Sequence, residues 1–273
     1  MKERILKMAG IAMEGVKPMI LEANGARVYV EQAGEGREVV LLHGWGCTTE
    51  HFRPIINALQ DNWHLTVLDF PGHGQSSRPP VPWDVGDYAR CVAEVMEQLG
   101  IEKCSLIAHS FGGRVSLHLA ANRPESIEKM VLTGCAGLKK PQTEAQKKRS
   151  EAFRKKKQLL QKAQGLPLLG KWAENAMEKL RQKYGSADYN ALDEDMRKTF
   201  VKVISEDLAP LLPRVEAPTL LVWGEKDQDT PLWMGQKMEK EIRDAGLVVF
   251  DGDDHFAYLR QWPRFVQIVR AFL

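Results

Sequence analysis

Short apolar runs, carrying at most one Ser or Thr and no charge, punctuate the chain at residues 39–42, 65–68, 104–108, 130–133, 219–223 and 247–250. A continuous run of this kind predicts a strand buried on both faces, because successive strand side chains point to opposite sides. Ahead of these runs, "ARVYVEQ" (26–32) alternates polar and apolar residues, as the edge strand of a hairpin does, and the "GEG" after it marks a turn. Most of the intervals leave room for a helix. In "DVGDYARCVAEVMEQLG" (84–100) the apolar residues fall at helical spacing and the segment stops on Gly100. An antiparallel start followed by strand–helix repeats predicts a mostly parallel sheet with helices on both faces.

One segment breaks this rhythm. From Leu138 to Leu208 there is no strand run, only three stretches of helix-forming composition separated by "GLPLLG" and "YGSADYN". The expected organisation is an N-terminal arm at 1–18, an α/β core from 19–137 and 209–273, and an inserted helical cap at 138–208. Charge is uneven in the same way. The insert holds 17 Lys and Arg against 10 Asp and Glu, while the remainder is net negative and the whole chain carries only +2. The balance over the chain gives no reason to expect a nucleic acid partner. Within the insert, Ala145, Ala152, Phe153, Leu159, Leu160 and Ala163 form one helical stripe, with "KKRSEAFRKKK" spread over the rest. This reads as a lid helix with a solvated basic face. A second reading is attraction of an anionic substrate such as an acyl-CoA or an aromatic acid. The alanine-rich stripe argues against a membrane-surface helix.

Length and composition fit one folded unit with an insertion: 273 residues, 44% hydrophobic and 27% charged. Cys47, Cys91, Cys104 and Cys135 are widely spaced and read as free thiols in a reducing compartment. "MKERILKMAGIAM" is interrupted by Lys7 and does not make a secretory signal, and no apolar window is long enough for a membrane span. The expectation is a cytoplasmic protein without membrane association.

Chemistry enters at "LIAHSFGGRV" (106–115), where Ser110 stands between a strand run and a pair of glycines. A strand ending at Ala108 and a helix starting by Gly112 force a tight reversal, and strain at its apex is tolerated when the neighbours are small. This is a nucleophile elbow written A-H-S-F-G in place of G-x-S-x-G. The competing reading is a helix N-cap serine. A serine nucleophile needs a base and an orienting acid. Asp227, in "GEKDQDTP", and His255, in "DGDDHF", each follow a strand run, where ligands bind in open α/β sheets. The order Ser, Asp, His is the one the elbow motif predicts. Asp229 competes for the acid role.

These segments resemble the α/β-hydrolase fold over residues of about 20 to 273, outside the variable insert. "LLHGWG" is similar to that superfamily's His-Gly oxyanion loop, "LDFPGHGQSS" to its Asp-x-Pro-Gly-His-Gly-x-Ser turn, and "DDHFAYLRQWPRFVQIVRAFL" to its closing histidine and final helix. The resemblance implies an eight-stranded, mostly parallel sheet flanked by helices, with an all-helical cap inserted. It further implies a catalytic triad of Ser110, Asp227 and His255. The acid is Asp227 because the superfamily's acid follows the glycine by three residues. The oxyanion hole would use the backbone N–H groups of Phe111 and Trp45, with Gly46 a rival for the second, leaving both aromatic side chains to line an acyl pocket or pack in the core. His43, His73 and His109 occupy motif positions that are structural in the superfamily, Asp69 is a turn residue there, and His51, His64 and His118 fall at surface or helix positions.

The activity implied is a serine hydrolase cleaving a small or medium carboxylic ester through an acyl-enzyme, with no metal and no cofactor. Thioesterases, C–C bond hydrolases, perhydrolases and triad-dependent lyases share these motifs. Aspartate-nucleophile dehalogenases and epoxide hydrolases are disfavoured by Ser110. The rival of another class is a ligand-sensing protein that keeps the triad as a binding pocket. The motifs specify fold and triad; acyl size, leaving group and oligomeric state are not written in them.

Overall fold

A computed structural model describes residues 16–141, 143–164 and 169–273. Eight strands form one sheet: β1 (Lys17–Ala23), β2 (Ala26–Ala33), β3 (Arg37–Leu42), β4 (Trp63–Leu68), β5 (Cys104–His109), β6 (Ile127–Thr133), β7 (Thr219–Gly224) and β8 (Ala245–Phe250). Their order across the sheet is β1-β2-β4-β3-β5-β6-β7-β8. β1 and β2 pair antiparallel, as do β2 and β4, and every later pair is parallel. The six runs are β3 to β8. The alternating segment is β2, which lies second in the sheet; the edge is β1, reached through a tight turn in which Asn24 has φ 48°. β1 begins at Lys17, so the last two residues of the expected arm belong to the sheet, and residues 1–15 lie outside the described part.

The runs carry no charged residue because each strand feeds two cores. Val40, Leu42, Leu106, Ala108, Met130, Leu132, Leu221 and Trp223 face one side. Val39, Leu41, Ile107, Val131, Leu220 and Val222 face the other. On the first side pack α2 (Val85–Gln98), α3 (Phe111–Asn122) and α8 (Trp233–Glu241); on the second, α1 (Arg53–Leu59), α9 (Ala257–Arg260) and α10 (Trp262–Phe272). α2 starts at a reciprocal cap, in which Asp84 accepts from the Asp87 N–H and Asp87 from the Asp84 N–H, each at 2.9 Å. It stops before Gly100, whose φ is 71°.

By contact density the chain divides into two compact units, residues 139–200 and the remainder. The smaller unit contains α4 (Glu144–Gln164), α5 (Gly170–Tyr184) and α6 (Ala187–Ala191), and α7 (Glu194–Ser205) runs out of it. "YGSADYN", expected as a connector, holds the short α6. The smaller unit ends at Phe200, ahead of the expected boundary at Leu208, because Val203 and Leu208 bury in the first core. The stripe on α4 is not uniformly buried. Phe153 packs on Tyr184 at 5.3 Å between ring centroids, whereas Leu159 is 68% exposed. Trp172 is 61% exposed, while Tyr189 packs against Phe200. Among the described residues no helix is long and apolar enough to cross a membrane.

Candidate active site

β5 runs straight into α3, and the single residue between them is Ser110, with φ 50° and ψ −106°. A non-glycine residue held there stores strain of about 1–3 kcal/mol, which the surroundings must over-determine. They do so with backbone hydrogen bonds. The Ser110 N–H donates to the Thr133 carbonyl at 3.0 Å, the Ser110 carbonyl accepts from Ala136 and Gly113 at 3.0 Å each, and Gly112 donates to His43 at 3.0 Å. Space matters equally, since a methyl group on Gly112 would lie 2.0 Å from the Leu42 carbonyl oxygen. Although Ser110 occupies the N-cap position, its side chain makes no capping bond and its φ is positive rather than extended. The N-cap reading therefore fails, and the hydroxyl is left unspent on the helix.

The loops after β7 and β8 bring the proposed acid and base together. His255 Nδ1 lies 2.8 Å from Asp227 Oδ2. The side chain of Asp227 is fully buried and that of His255 is 11% exposed. Asp227 Oδ1 accepts the N–H groups of Asp229 and Thr230 at 2.9 and 2.8 Å. Asp229 thus serves through its backbone, while its own side chain is exposed. An ionised carboxylate is acceptor-only, so His255 Nδ1 carries the proton and Nε2 keeps its lone pair. The elbow joins this pair through β6: Thr133 accepts from the Ser110 N–H, and the next residue, Gly134, has φ 51° and sits where a methyl group would be 3.1 Å from His255 Nδ1 and 3.3 Å from Asp227 Oδ2.

Residues 38–260 match the profile of the alpha/beta hydrolase fold family. The chain belongs to that family. It is 28% identical over 279 residues to a 2-hydroxy-6-oxononadienedioate/2-hydroxy-6-oxononatrienedioate hydrolase from a Pseudomonas species, covering 92% of this chain and 93% of that protein. It is likewise 28% identical over 258 residues to a pimeloyl-[acyl-carrier protein] methyl ester esterase from Neisseria meningitidis, covering 87% and 93%. Among solved structures, an esterase from Exiguobacterium antarcticum superposes with a TM-score of 0.72 at 24% identity, covering 94% of this chain and 99% of that one.

Four other histidines are engaged in packing and backbone hydrogen bonds. His43 accepts from the Phe70 N–H at Nε2 (3.0 Å) and faces the Gly44 carbonyl with Nδ1 (2.7 Å), which makes it a neutral Nδ1–H tautomer. Burial holds its pKa well below the usual range, and pushes that of His73 down to about 4. His109 is held low by burial and then by the neighbouring His255; its Nε2–H donates to the His255 carbonyl at 3.0 Å, and the two rings lie 4.7 Å apart. His51, expected at a surface or helix position, lies in a short helical turn (Thr49–Phe52), where it is buried and accepts from the Thr48 N–H. Asp69 holds its turn by accepting from Thr49 and Gln75, both at 2.8 Å.

Gly44–Cys47 forms a tight turn closed by the Cys47 N–H on the Gly44 carbonyl at 3.1 Å, a bond that uses neither the Trp45 nor the Gly46 N–H. This loop abuts the elbow, since a methyl group on Gly44 would lie 3.3 Å from Ser110 Cβ. Phe111 opens α3, so its N–H has no acceptor within the helix. Its ring is 3% exposed and packs on Phe70 and Tyr88, each at 4.9 Å. The ring of Trp45 packs edge-on against His73 and Phe111. No disulfide joins the four cysteines, all of them buried, and burial raises the thiols of Cys91, Cys104 and Cys135 to about 12, far from nucleophilic.

Asp227, Asp229 and His255 also bring three potential metal donors within 4.8 Å of one another. The Asp227 oxygens are already committed to backbone, hydroxyl and imidazole donors, so the set fits hydrogen bonding rather than a cation. Sequence reasoning missed one residue here. Thr230, in a turn before Pro231, places its hydroxyl 2.8 Å from Asp227 Oδ2 and 3.1 Å from His255 Nδ1. No sequence signal distinguishes it from an ordinary turn threonine.

Proposed function

We propose that the protein is a serine hydrolase of small or medium carboxylic esters, with Ser110 as nucleophile, His255 as base and Asp227 as the orienting acid. The observation that carries this reading is the strained, uncapped Ser110 on a loop network shared with the 2.8 Å His255–Asp227 pair. His255 Nε2 takes the Ser110 proton as Oγ attacks the carbonyl carbon. The resulting oxyanion is stabilised by the N–H of Phe111 at the start of α3 and by that of Trp45. His255 then returns the proton to the departing alcohol, and water, activated by the same nitrogen, releases the acid from the acyl-enzyme. Neither a metal nor a cofactor enters these steps. The excess of basic residues in 138–208 supports an anionic acyl group.

A second reading, cleavage of a C–C bond next to a ketone, is favoured by the 28% identical 2-hydroxy-6-oxononadienedioate/2-hydroxy-6-oxononatrienedioate hydrolase. A fluorophosphonate should add once, on Ser110, as read by intact mass and peptide mapping. Turnover of p-nitrophenyl acetate should vanish in Ser110→Ala. An adduct on another residue refutes the assignment, and slow single-turnover labelling without catalysis favours a sensor. A panel of graded esters, thioesters and chromogenic 2-hydroxy-6-oxo-dienoates separates the two reactions.

A further inference from the structure

We infer that Thr230 is a fourth, positioning member of the catalytic unit, whose hydroxyl donates to the acid and faces the base with a lone pair. This rests on the assignment of Ser110, Asp227 and His255 made above. The Thr230 hydroxyl lies 2.8 Å from Asp227 Oδ2, 3.1 Å from His255 Nδ1 and 3.0 Å from the Gly134 carbonyl. The residue is 5% exposed. Its backbone is pinned at both ends, with the N–H on Asp227 Oδ1 at 2.8 Å and the carbonyl accepting Trp223 Nε1–H at 2.6 Å. The hydroxyl is therefore placed by a rigid turn rather than by its own rotamer alone.

A hydroxyl has one proton to give and lone pairs to receive. The carboxylate is both the nearer and the stronger acceptor, so the proton goes to Asp227 Oδ2, and a lone pair faces His255 Nδ1–H. Asp227 then has two donors on each oxygen: the amides of Asp229 and Thr230 on Oδ1, the Thr230 hydroxyl and His255 on Oδ2. Without the hydroxyl, a fully buried carboxylate loses a donor and pulls harder on the imidazole proton. The other titratable groups around His255 are the His109 ring at 4.7 Å, which burial keeps neutral, and the exposed Asp229; Tyr258, which packs on His109, is held protonated by burial. The loop after β6 brings only the Gly134 backbone.

The test is Thr230→Val, which keeps the shape and removes the hydroxyl, beside Thr230→Ser. Rates on p-nitrophenyl acetate are measured across pH, with kcat and KM separated, and Tm is recorded for each variant. Thr230→Val should lower kcat about tenfold at unchanged KM and move the acidic limb of the kcat/KM profile up by about half a pH unit, with Thr230→Ser restoring both. A wild-type kcat and acidic limb in Thr230→Val, with only Tm reduced, would make Thr230 purely structural and overturn the inference, as would failure of Thr230→Ser to rescue. Should Thr230→Val be recovered unfolded, Thr230→Cys, a weaker donor of similar size, reads the same profile and should fall between wild type and the expected loss; an unchanged profile there also overturns the inference. Ser110→Ala separates the two levels. If it retains turnover, the triad itself is wrong. If it is dead while the Thr230 variants match wild type, only the role of Thr230 is lost.

Discussion

Asp227→Asn is nearly isosteric and leaves the turn intact, so it tests chemistry rather than folding. The side-chain oxygen of the asparagine keeps the amides of Asp229 and Thr230, now at 2.9 and 2.8 Å from Oδ1. Its NH2 group then faces Thr230 Oγ1 and His255 Nδ1, which lie 2.8 Å from Oδ2 in the wild type. Both NH2 protons find acceptors, because the Thr230 hydroxyl can turn its own proton to the Gly134 carbonyl at 3.0 Å. To accept from the amide, His255 must move its proton to Nε2, the nitrogen that should attack the Ser110 proton. Losing a negative charge at roughly 4 Å from the imidazolium removes about 4 kcal/mol at an effective dielectric near 20. With the inverted tautomer the total approaches about 5.5 kcal/mol, or about a 10⁴-fold fall in kcat/KM. Tm should move by only a few degrees. Initial rates on p-nitrophenyl acetate, with thermal melts of the same samples, decide the matter. A variant retaining more than about a tenth of the wild-type rate, or an equal loss in Asp229→Asn, would refute the assignment of Asp227 as the orienting acid.

Gly112→Ala should damage stability and rate together. Its methyl group would meet the Leu42 carbonyl oxygen at 2.0 Å and carbon at 2.6 Å, so the elbow or β3 has to shift by about 1 Å, which predicts a loss of about 3 kcal/mol in urea unfolding and about 100-fold in rate. A wild-type melt would contradict the packing described here. Acid should destabilise the fold through its buried neutral histidines. Because burial lowers the folded pKa of His43, His73 and His109, their stabilisation is fully present above the unfolded value near 6.5 and is lost as pH falls, down to about 4 for His73. Each contributes a slope of about 1.4 kcal/mol per pH unit in that window. Urea midpoints between pH 7.5 and 4 check this, and His73→Gln should flatten the slope; an unchanged slope would show that His73 is protonated in the fold.

The chain by itself determined the sheet and marked the elbow at Ser110. Burial on both faces leaves the centres of these strands free of charge, with only Ser105, Thr66, Thr133 and Thr219 among the apolar residues of the runs, so β3 to β8 can be read directly from the sequence. The elbow is equally local, because a strand and a helix joined at Ser110 need small neighbours, and those are adjacent in sequence. Asp227 and His255 were legible as residues following strand runs, since open α/β sheets place ligands there. Distance along the chain hid the rest. That β1 forms an edge, that His51 is buried and that Val203 and Leu208 pack in the core depend on partners far away in sequence. The resemblance put Asp227 ahead of Asp229, two carboxylates of one turn, and the fold adds that the loop after β8 delivers His255 against Asp227. Thr230 gains its place only when that turn meets His255 and Gly134 in space. Tertiary structure decides such matters because hydrogen bonds act over about 3 Å, and only the folded sheet brings the loops after β6, β7 and β8 that close.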